Sequence, residues 1–528
     1  MLSLEDLETW LSQKLAKRDR SEIILYLSII TYVVVFSSLT IVRHYAFKTR
    51  AWDLGIFTQS LWTTSFAGRF FYHTCELMVN PSGSFFGVHF SPILFFVLPF
   101  YRIFPTVETL LIIQALVLSS AAIPIYKLAK EYIGYRVVSL IFALTYLAYP
   151  ATQYVNWYDF HVQIFLPLFF SFAIYYLFKE RWPKYFLFIF FALMCEEHVA
   201  IITFFVGIYV AWKYREQIIS AVRRKGPVER KLFVPFITMV ISVIWYWFTL
   251  WQRNTFFPTN PAALEVFLGS ANFTILGAKN PLEIPLLIVL RPLNALQALA
   301  YDGHLKLLYL FVLFGPLALF SFKASSLLIP TISWFGFSLI SQTLAHHVLG
   351  HQYETYVIAF ISAAAIFGLR KTFLKKQGLK DISGSLKKLV VCSFIFLVTI
   401  SPLSPLITTL FPGYASIQIG EHERLLYEVL ALIPTNASIL TQDNIFPHVS
   451  HRVEAYVVPY IFLDSGIREL AIDFVSQTMD KVEFILVDNK TDPTSTSLIH
   501  SLLETKPPQF TLIVTEDNNT ILLYQRKT

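Results

Sequence analysis

Apolar residues run along this chain in long, nearly unbroken stretches from Ile23 to about Leu410, separated by short polar connections rich in Lys and Arg. A bilayer's hydrocarbon core, about 30 Å thick, is crossed by roughly 20 such residues in a helix. The pattern predicts spans near 23–43, 107–127, 137–155, 161–179, 183–195, 198–213, 231–252, 304–321, 325–344, 354–370 and 388–410, about eleven in all. The segments 183–195 and 198–213 are short for a straight crossing and read as parts of tilted or broken helices. Beyond residue 410 the period changes. HERLLYEVLALI and SLIHSLLE repeat as helices, whereas SILTQ, VEAYVV and KVEFILVD read as strands, and FTLIVTEDNNTILLYQ reads as a hairpin turning at Asn518 and Asn519. Residues 411–528 are therefore expected to form a separate soluble α/β domain. That domain carries no Gly-rich phosphate loop, nucleophile elbow or metal motif.

The basic connections orient the spans. Lys14, Lys17, Arg18 and Arg20 precede the first span, in a charged 1–22 segment that reads as a cytoplasmic amphipathic helix, and Lys127, Lys130 and Arg136 fill the next connection on that side. Lys179, Arg181 and Lys184, the run Lys213 to Lys231, and Arg370 to Lys388 alternate in the same sense. The positive-inside rule puts these loops in the cytoplasm. An odd number of spans then carries 411–528 to the outer face of the plasma membrane, in keeping with sequons at Asn436, Asn489 and Asn518. The apolar run FSPILFFVLPFYRIF at 90–104 is read differently. Counted as a span it would reverse the next basic loop, and Pro92, Pro99 and Pro105 suit a surface or re-entrant element. Residues 44–106 and 253–303 thus become large external loops within a transmembrane domain spanning 23–410.

Composition agrees. Hydrophobic residues make up 55% of the 528, with 50 Phe, which excludes an ordinary soluble protein. The net charge of +7 belongs to topology-setting loops, so no nucleic-acid partner is expected. Cys75, Cys195 and Cys392 are too few and scattered for a disulfide framework or a zinc cluster.

On this topology the external connections gather Asp53 and His89, then Asp159 and His161 in YDFH, Glu196, Glu197 and His198 in CEEH, and His346, His347, His351, Tyr353 and Glu354 in HHVLGHQYE. Ionisable groups at span ends are costly to desolvate unless they pair or line a wet cavity, so the cluster reads as a polar active-site cavity. Blander readings stand beside it. A loop aspartate such as Asp53 often only caps a helix. Glu196 and Glu197, if helical, face different directions, so only one would enter the cavity. His347 and His351 have the i, i+4 spacing that holds a metal on a helix, but no third ligand in register. Asp443, His448, His451 and Arg452 in the tail sit near a strand end, where they either face the active cavity or, the favoured reading, are solvated surface groups.

WDLGIFTQSLW, then HFSPILFFVLPFYRIFPTVETLLIIQALVLSSAAIPIYKLA, CEEHVA, HQYETYVIAF and IPTNASILTQDNIFPHVSHRVEAYVVP together resemble the prokaryotic membrane-protein family known as domain of unknown function 2079. That family is similar in layout to the GT-C superfamily of membrane glycosyltransferases, which includes oligosaccharyltransferase catalytic subunits, protein mannosyltransferases and lipid A aminoarabinose transferases. The resemblance implies a GT-C-like polytopic helical fold and a polyprenyl-phosphate-linked sugar donor. The acceptor would be a lipid, glycan or protein. Asp53 matches the first-loop acid of such enzymes by position, and CEEH matches their second external loop. The chain departs from the pattern in having a single first-loop Asp and no Lys in CEEH, which leaves the donor and a divalent metal open.

The resulting expectation is an inverting transfer with Asp53 as general base and His89, Asp159, His161, Glu196, Glu197, His198, His351 and Tyr353 around the substrate. His89, His161, His198, Arg69 and Arg291 are candidates for the leaving phosphate. The alternatives are a transporter or flippase with an external vestibule, or a non-catalytic scaffold. No internal repeat of the kind transporters carry is evident.

Overall fold

The computed structural model describes residues 19–223, 226–267, 270–279, 281–375, 379–411, 417–505 and 509–527. Most of the expected N-terminal amphipathic helix, residues 1–18, lies outside them. Helix α1 (Arg20–Tyr45) starts at Asp19, whose carboxylate accepts the Ser21 amide, and buries Leu25, Ile29, Tyr32, Phe36, Thr40 and Arg43 along one stripe. Ile24, Leu27, Ile30 and Val34 on its other faces are exposed, as a lipid-facing surface requires. Among the described residues, Arg20–Tyr45, Val107–Ile133, Arg230–Phe256 and Ser383–Leu410 are long and apolar enough to cross a membrane. Pro292–Ala300 and Gly303–Leu317 form a further pair bent by 72°.

The other expected spans are occupied by shorter helices, including Val162–Phe178, Trp182–Leu193 and Val199–Lys213. Proline accounts for several interruptions. The 137–155 segment breaks at Tyr149, whose extended ψ of 120° is forced by Pro150, and the last long helix breaks at Ser404, ψ 134°, before Pro405. The 325–344 segment is a correction. Instead of an α-helix it is a 3-10 run, Phe320–Thr331, with Pro330 inside and a non-helical Ala324, followed by the short helix Ile332–Ser338. That run lies against Ile358–Lys375 so closely that a Cβ on Gly368 would collide with the Phe320 carbonyl oxygen.

Within 44–106 the chain makes a π-helical turn (Ala51–Gly55), the helix Ile56–Phe66, and the helix Leu94–Ile103, whose Phe95, Phe96, Phe100 and Ile103 are exposed. That apolar outer face suits the expected surface element. Within 253–303, Ile284–Leu290 and Pro292–Ala300 likewise expose Leu286, Val289, Leu293 and Leu296.

The C-terminal region forms a five-stranded sheet of order β2-β1-β3-β5-β4. Strands β1 (Ile439–Thr441), β2 (Ala455–Val457) and β3 (Phe484–Asp488) are parallel, and β4 (Phe510–Glu516) and β5 (Ile521–Arg526) complete it antiparallel. The β4–β5 turn has Asp517, Asn518 and Asn519 at positive φ, the conformation Asn and Asp tolerate best among residues with a Cβ. This sheet is docked on the first loop. The Ala51 amide donates to the Asp443 backbone carbonyl (2.9 Å) and carboxylate (2.8 Å), Gln59 donates to the Arg452 carbonyl (3.0 Å), and Thr58 meets Ser450 (2.8 Å). Gly55 sits against Phe446, and a Cβ there would come within 2.6 Å of its ring.

Candidate functional site

The π-helical turn gives the first loop its chemistry. Gly55 and Ile56 donate to the carbonyls of Arg50 and Ala51, five residues back, and the widened turn carries Asp53 in a partly exposed position. Asp53 Oδ1 lies 2.9 Å from His161 Nε2, and Oδ2 accepts the Tyr158 hydroxyl at 2.7 Å. His161 Nδ1 lies 3.0 Å from the Asp159 carbonyl oxygen. A carbonyl and an ionised carboxylate can only accept, so both ring nitrogens must carry protons, and His161 is an imidazolium here.

Electrostatics agree. Burial pushes the Asp53 carboxyl up, but the charge and hydrogen bond of His161, with the Tyr158 bond, outweigh it and hold Asp53 below its ordinary value. Burial pushes His161 down, and Asp53 more than restores it, leaving it above the ordinary imidazole value. Tyr158 stacks on His161 at 5.3 Å and meets His351 at 5.1 Å. His351 is held below its ordinary value, first by burial, with Asp53 opposing.

The YDFH segment is fixed from below. Asp159 accepts Arg43 Nη1 at 2.7 Å and the Arg50 amide at 2.6 Å, with its side chain fully buried. Burial keeps its carboxyl above the ordinary range, Arg43 pulling the other way. Arg50 in turn reaches Asp443 at 3.0 Å. Burial lifts Asp443 to about 6 against the pull of Arg50.

A second centre lies at CEEH. His89 Nδ1 is 3.1 Å from Glu197 and 3.5 Å from Glu196, and His198 approaches the same carboxylates at 3.5 and 3.8 Å. Gln163 (3.0 Å) and Tyr356 (2.5 Å) donate to Glu196, and the Phe90 amide to Glu197 (3.1 Å). Burial works against charge here, yet Glu197 is held at about 2 and His89 at about 9 by their mutual attraction. One ligand atom each from His89, Glu196 and Glu197 falls within 4.8 Å of the others, so an imidazole and two carboxylates fit a divalent cation. Tyr353 connects the centres, since the charges of both Asp53 and Glu196 act on its hydroxyl and its ring stacks on His351.

Several expectations are corrected. Glu196 and Glu197 both converge on His89, because they occupy a turn between Trp182–Leu193 and Val199–Lys213 where adjacent side chains need not diverge. His346, His347 and His351 lie in 3-10 and bend conformation, so the helical metal spacing does not exist. His346 meets Ser341 and His347 meets Asp302. Asp443 is not solvated, and His448 and His451 stack on His44 and bond Tyr101 at the domain junction. Arg69 lies over the Tyr72 ring and Arg291 donates to the Leu276 carbonyl, away from the contacts that build either centre. Cys75 and Cys195 are both free. Residues not singled out from the sequence include Arg43, Arg50, Tyr158, Gln163 and Tyr356. An arginine at the end of an otherwise apolar span was the available signal for Arg43.

This architecture, a polytopic helical membrane protein with a small C-terminal sheet, is GT-C-like. It resembles the crystal structure of ArnT from Cupriavidus metallidurans bound to undecaprenyl phosphate, with a TM-score of 0.51 at 12% identity over 94% of this chain and 98% of that one. The chain belongs to the family of predicted membrane proteins DUF2079, whose model matches residues 43–522. No curated protein matches its sequence.

Proposed function

We propose that the protein is a membrane glycosyltransferase that moves a sugar from a polyprenyl-phosphate-linked donor to an acceptor hydroxyl at the extracytoplasmic face. The observation that carries this reading is Asp53, a first-loop carboxylate kept ionised between an imidazolium and a phenol. The bound undecaprenyl phosphate of the ArnT structure supports the choice of donor.

In the proposed step the acceptor oxygen attacks the anomeric carbon from the face opposite the phosphate. The bond from that carbon to the phosphate oxygen breaks, and its electron pair leaves with the lipid phosphate, inverting the centre. Asp53 takes the acceptor proton. Two hydrogen bonds weaken a carboxylate as a base, so proton transfer comes late, once the attacking oxygen has become acidic. The fixed charge of His161 keeps Asp53 ionised and aimed at the acceptor and needs no reorganisation, because Asp159 already holds its ring.

The two carboxylates of the His89, Glu196 and Glu197 centre are at most balanced by His89 and His198, so by itself the centre offers a phosphate no net positive charge. A divalent cation held by these residues would supply positive charge to the leaving group. The test is transfer of labelled sugar from an undecaprenyl-phosphate-sugar pool in membranes. Wild type is expected to transfer and Asp53→Asn, equally folded, to lose at least about a hundredfold. Full activity in Asp53→Asn would refute the assignment.

A further inference from the structure

The proposed step leaves open what presents the acceptor, and the C-terminal sheet offers an answer. In an open sheet with parallel strands, ligands bind beyond the strands' carboxyl ends where neighbouring connections diverge. Here that point falls between β1 and β3. After β1 the chain turns away to β2, and after β3 it turns the other way toward the helix Pro493–Thr505 and β4.

The residues at this point form a rigid floor and an open rim. Gln442 donates to the Asp488 carbonyl (3.0 Å) and Thr491 hydroxyl (2.8 Å), and accepts the Asp488 amide (2.9 Å). The same Nε2, its two hydrogens shared among three acceptors, also faces Asn444 Oδ1 at 3.2 Å, a contact in which the Asn444 Nδ2 takes no part. Asn444 is only 4% exposed, and that Nδ2 has no hydrogen-bond partner. A buried donor left without an acceptor is costly, so a structure retains one where something else completes it. Around this floor Tyr460, after β2, is 39% exposed, and Thr491 and Arg50 are exposed as well.

The place is next to Asp53. Asp443, adjacent to Asn444, accepts the Ala51 amide, two residues before Asp53, and the charges of Asp443, Asp53, Arg50 and Asp492 all act on the Tyr460 hydroxyl. The chemistry selects the ligand. There is no Gly-rich turn after β1, Asp443 and Asp492 repel anions, and the N-terminus of Pro493–Thr505 already has Asp492 on its Ser495 amide at 2.9 Å. A phosphate is disfavoured. Amide donors, carboxylate acceptors and an exposed aromatic ring together match a ring of hydroxyl groups with an apolar face.

We propose that the carboxyl ends of β1, β2 and β3, floored by Asn444 and rimmed by Tyr460 and Arg50, form a saccharide-binding crevice that presents a glycan acceptor to Asp53. The acceptor role rests on the glycosyltransferase reading, whereas the binding does not. Full-length protein in nanodiscs is applied to an array of neutral oligosaccharides, with inorganic phosphate as competitor. Wild type and Asp53→Asn are expected to retain the same glycans. The surface variant Tyr460→Ala and the floor variant Asn444→Leu, each checked for thermal unfolding, are expected to weaken retention about tenfold, the worth of one neutral hydrogen bond or ring contact. Retention of no glycan, undiminished retention by both variants, or displacement by phosphate would overturn the crevice. Glycan retention that depends on Tyr460, in a protein inactive toward every polyprenyl donor, would uphold the crevice and remove the transferase reading.

Discussion

Replacing Arg43 by Gln removes the side chain that ties the end of α1 to the segment carrying Tyr158, Asp159 and His161. The bond it loses, Nη1 to Asp159 Oδ1 at 2.7 Å, joins side chains that are 10% and 0% exposed. Breaking one side of such a buried pair costs about 3–5 kcal/mol because the survivor stays charged and dry. The Arg50 amide donates to Asp159 in both proteins and keeps the surviving carboxylate partly satisfied, so a loss at the low end of that range, about 3 kcal/mol, is expected. The loss must depend on pH. Burial already holds the Asp159 carboxyl above its unfolded value, and removing Arg43 raises it further. A raised carboxyl contributes stability that is full below the unfolded value, about 3.9, and is lost as pH rises through the folded one. Thermal unfolding in detergent should therefore show a larger deficit for Arg43→Gln at about pH 7.5 than at about pH 5. Adding Asp159→Asn should return most of the deficit at the higher pH. An equal deficit at both pH values, or no recovery in the double variant, would refute the buried-charge argument.

His161 gives a second pH signature: its raised value means that its proton, and the activity depending on it, is lost as pH rises above the ordinary imidazole range, so His161→Gln should remove that alkaline limb from the rate profile and lower kcat/KM by about ten to a hundredfold. Gly55→Ala should loosen the C-terminal domain, since its Cβ would meet the fully buried Phe446 ring at 2.6 Å; faster hydrogen exchange at Ala51 checks this, and Phe446→Leu in the same chain should restore protection. Chelation followed by metal add-back should abolish and restore transfer if a divalent cation sits on His89, Glu196 and Glu197, with direct metal analysis of Glu197→Gln showing lost occupancy; transfer unchanged by chelation would leave those residues as a proton-bridged cluster.

Membrane character was legible because it is written in composition and long-range period, which tertiary packing cannot hide. The strands of the tail were legible for the same reason, down to a hairpin turning through Asn518 and Asn519. Where proline intervenes the apolar period misleads: 325–344 is as hydrophobic as its neighbours, but Pro330 and the approach to Gly368 leave it a 3-10 run. Charged residues at span ends could be nominated one by one, but their partners could not. Arg43 and Asp159 are separated by 116 residues in sequence, and Arg50 and Asp443 by 393. Only loop geometry brings Glu196 and Glu197 onto the same imidazole, since adjacent residues diverge in the helix that local reading assumes.

The same geometry explains how a chain with a single first-loop aspartate can build an acidic centre. Asp53, Asp159 and Asp443 come from the first loop, the YDFH turn and the loop after β1, and each has its own cationic partner: His161, Arg43 and Arg50 respectively. Their order of pairing matters. Arg50 donates its amide to Asp159 and its guanidinium to Asp443, so one residue, three positions before Asp53, spans the membrane domain and the sheet. Movement of the C-terminal domain would therefore pull on Asp159, whose carbonyl fixes the His161 ring and thereby the charge beside Asp53. A continuous run of polar contacts thus leads from the sheet to Asp53, through Asp443, Arg50, Asp159 and His161.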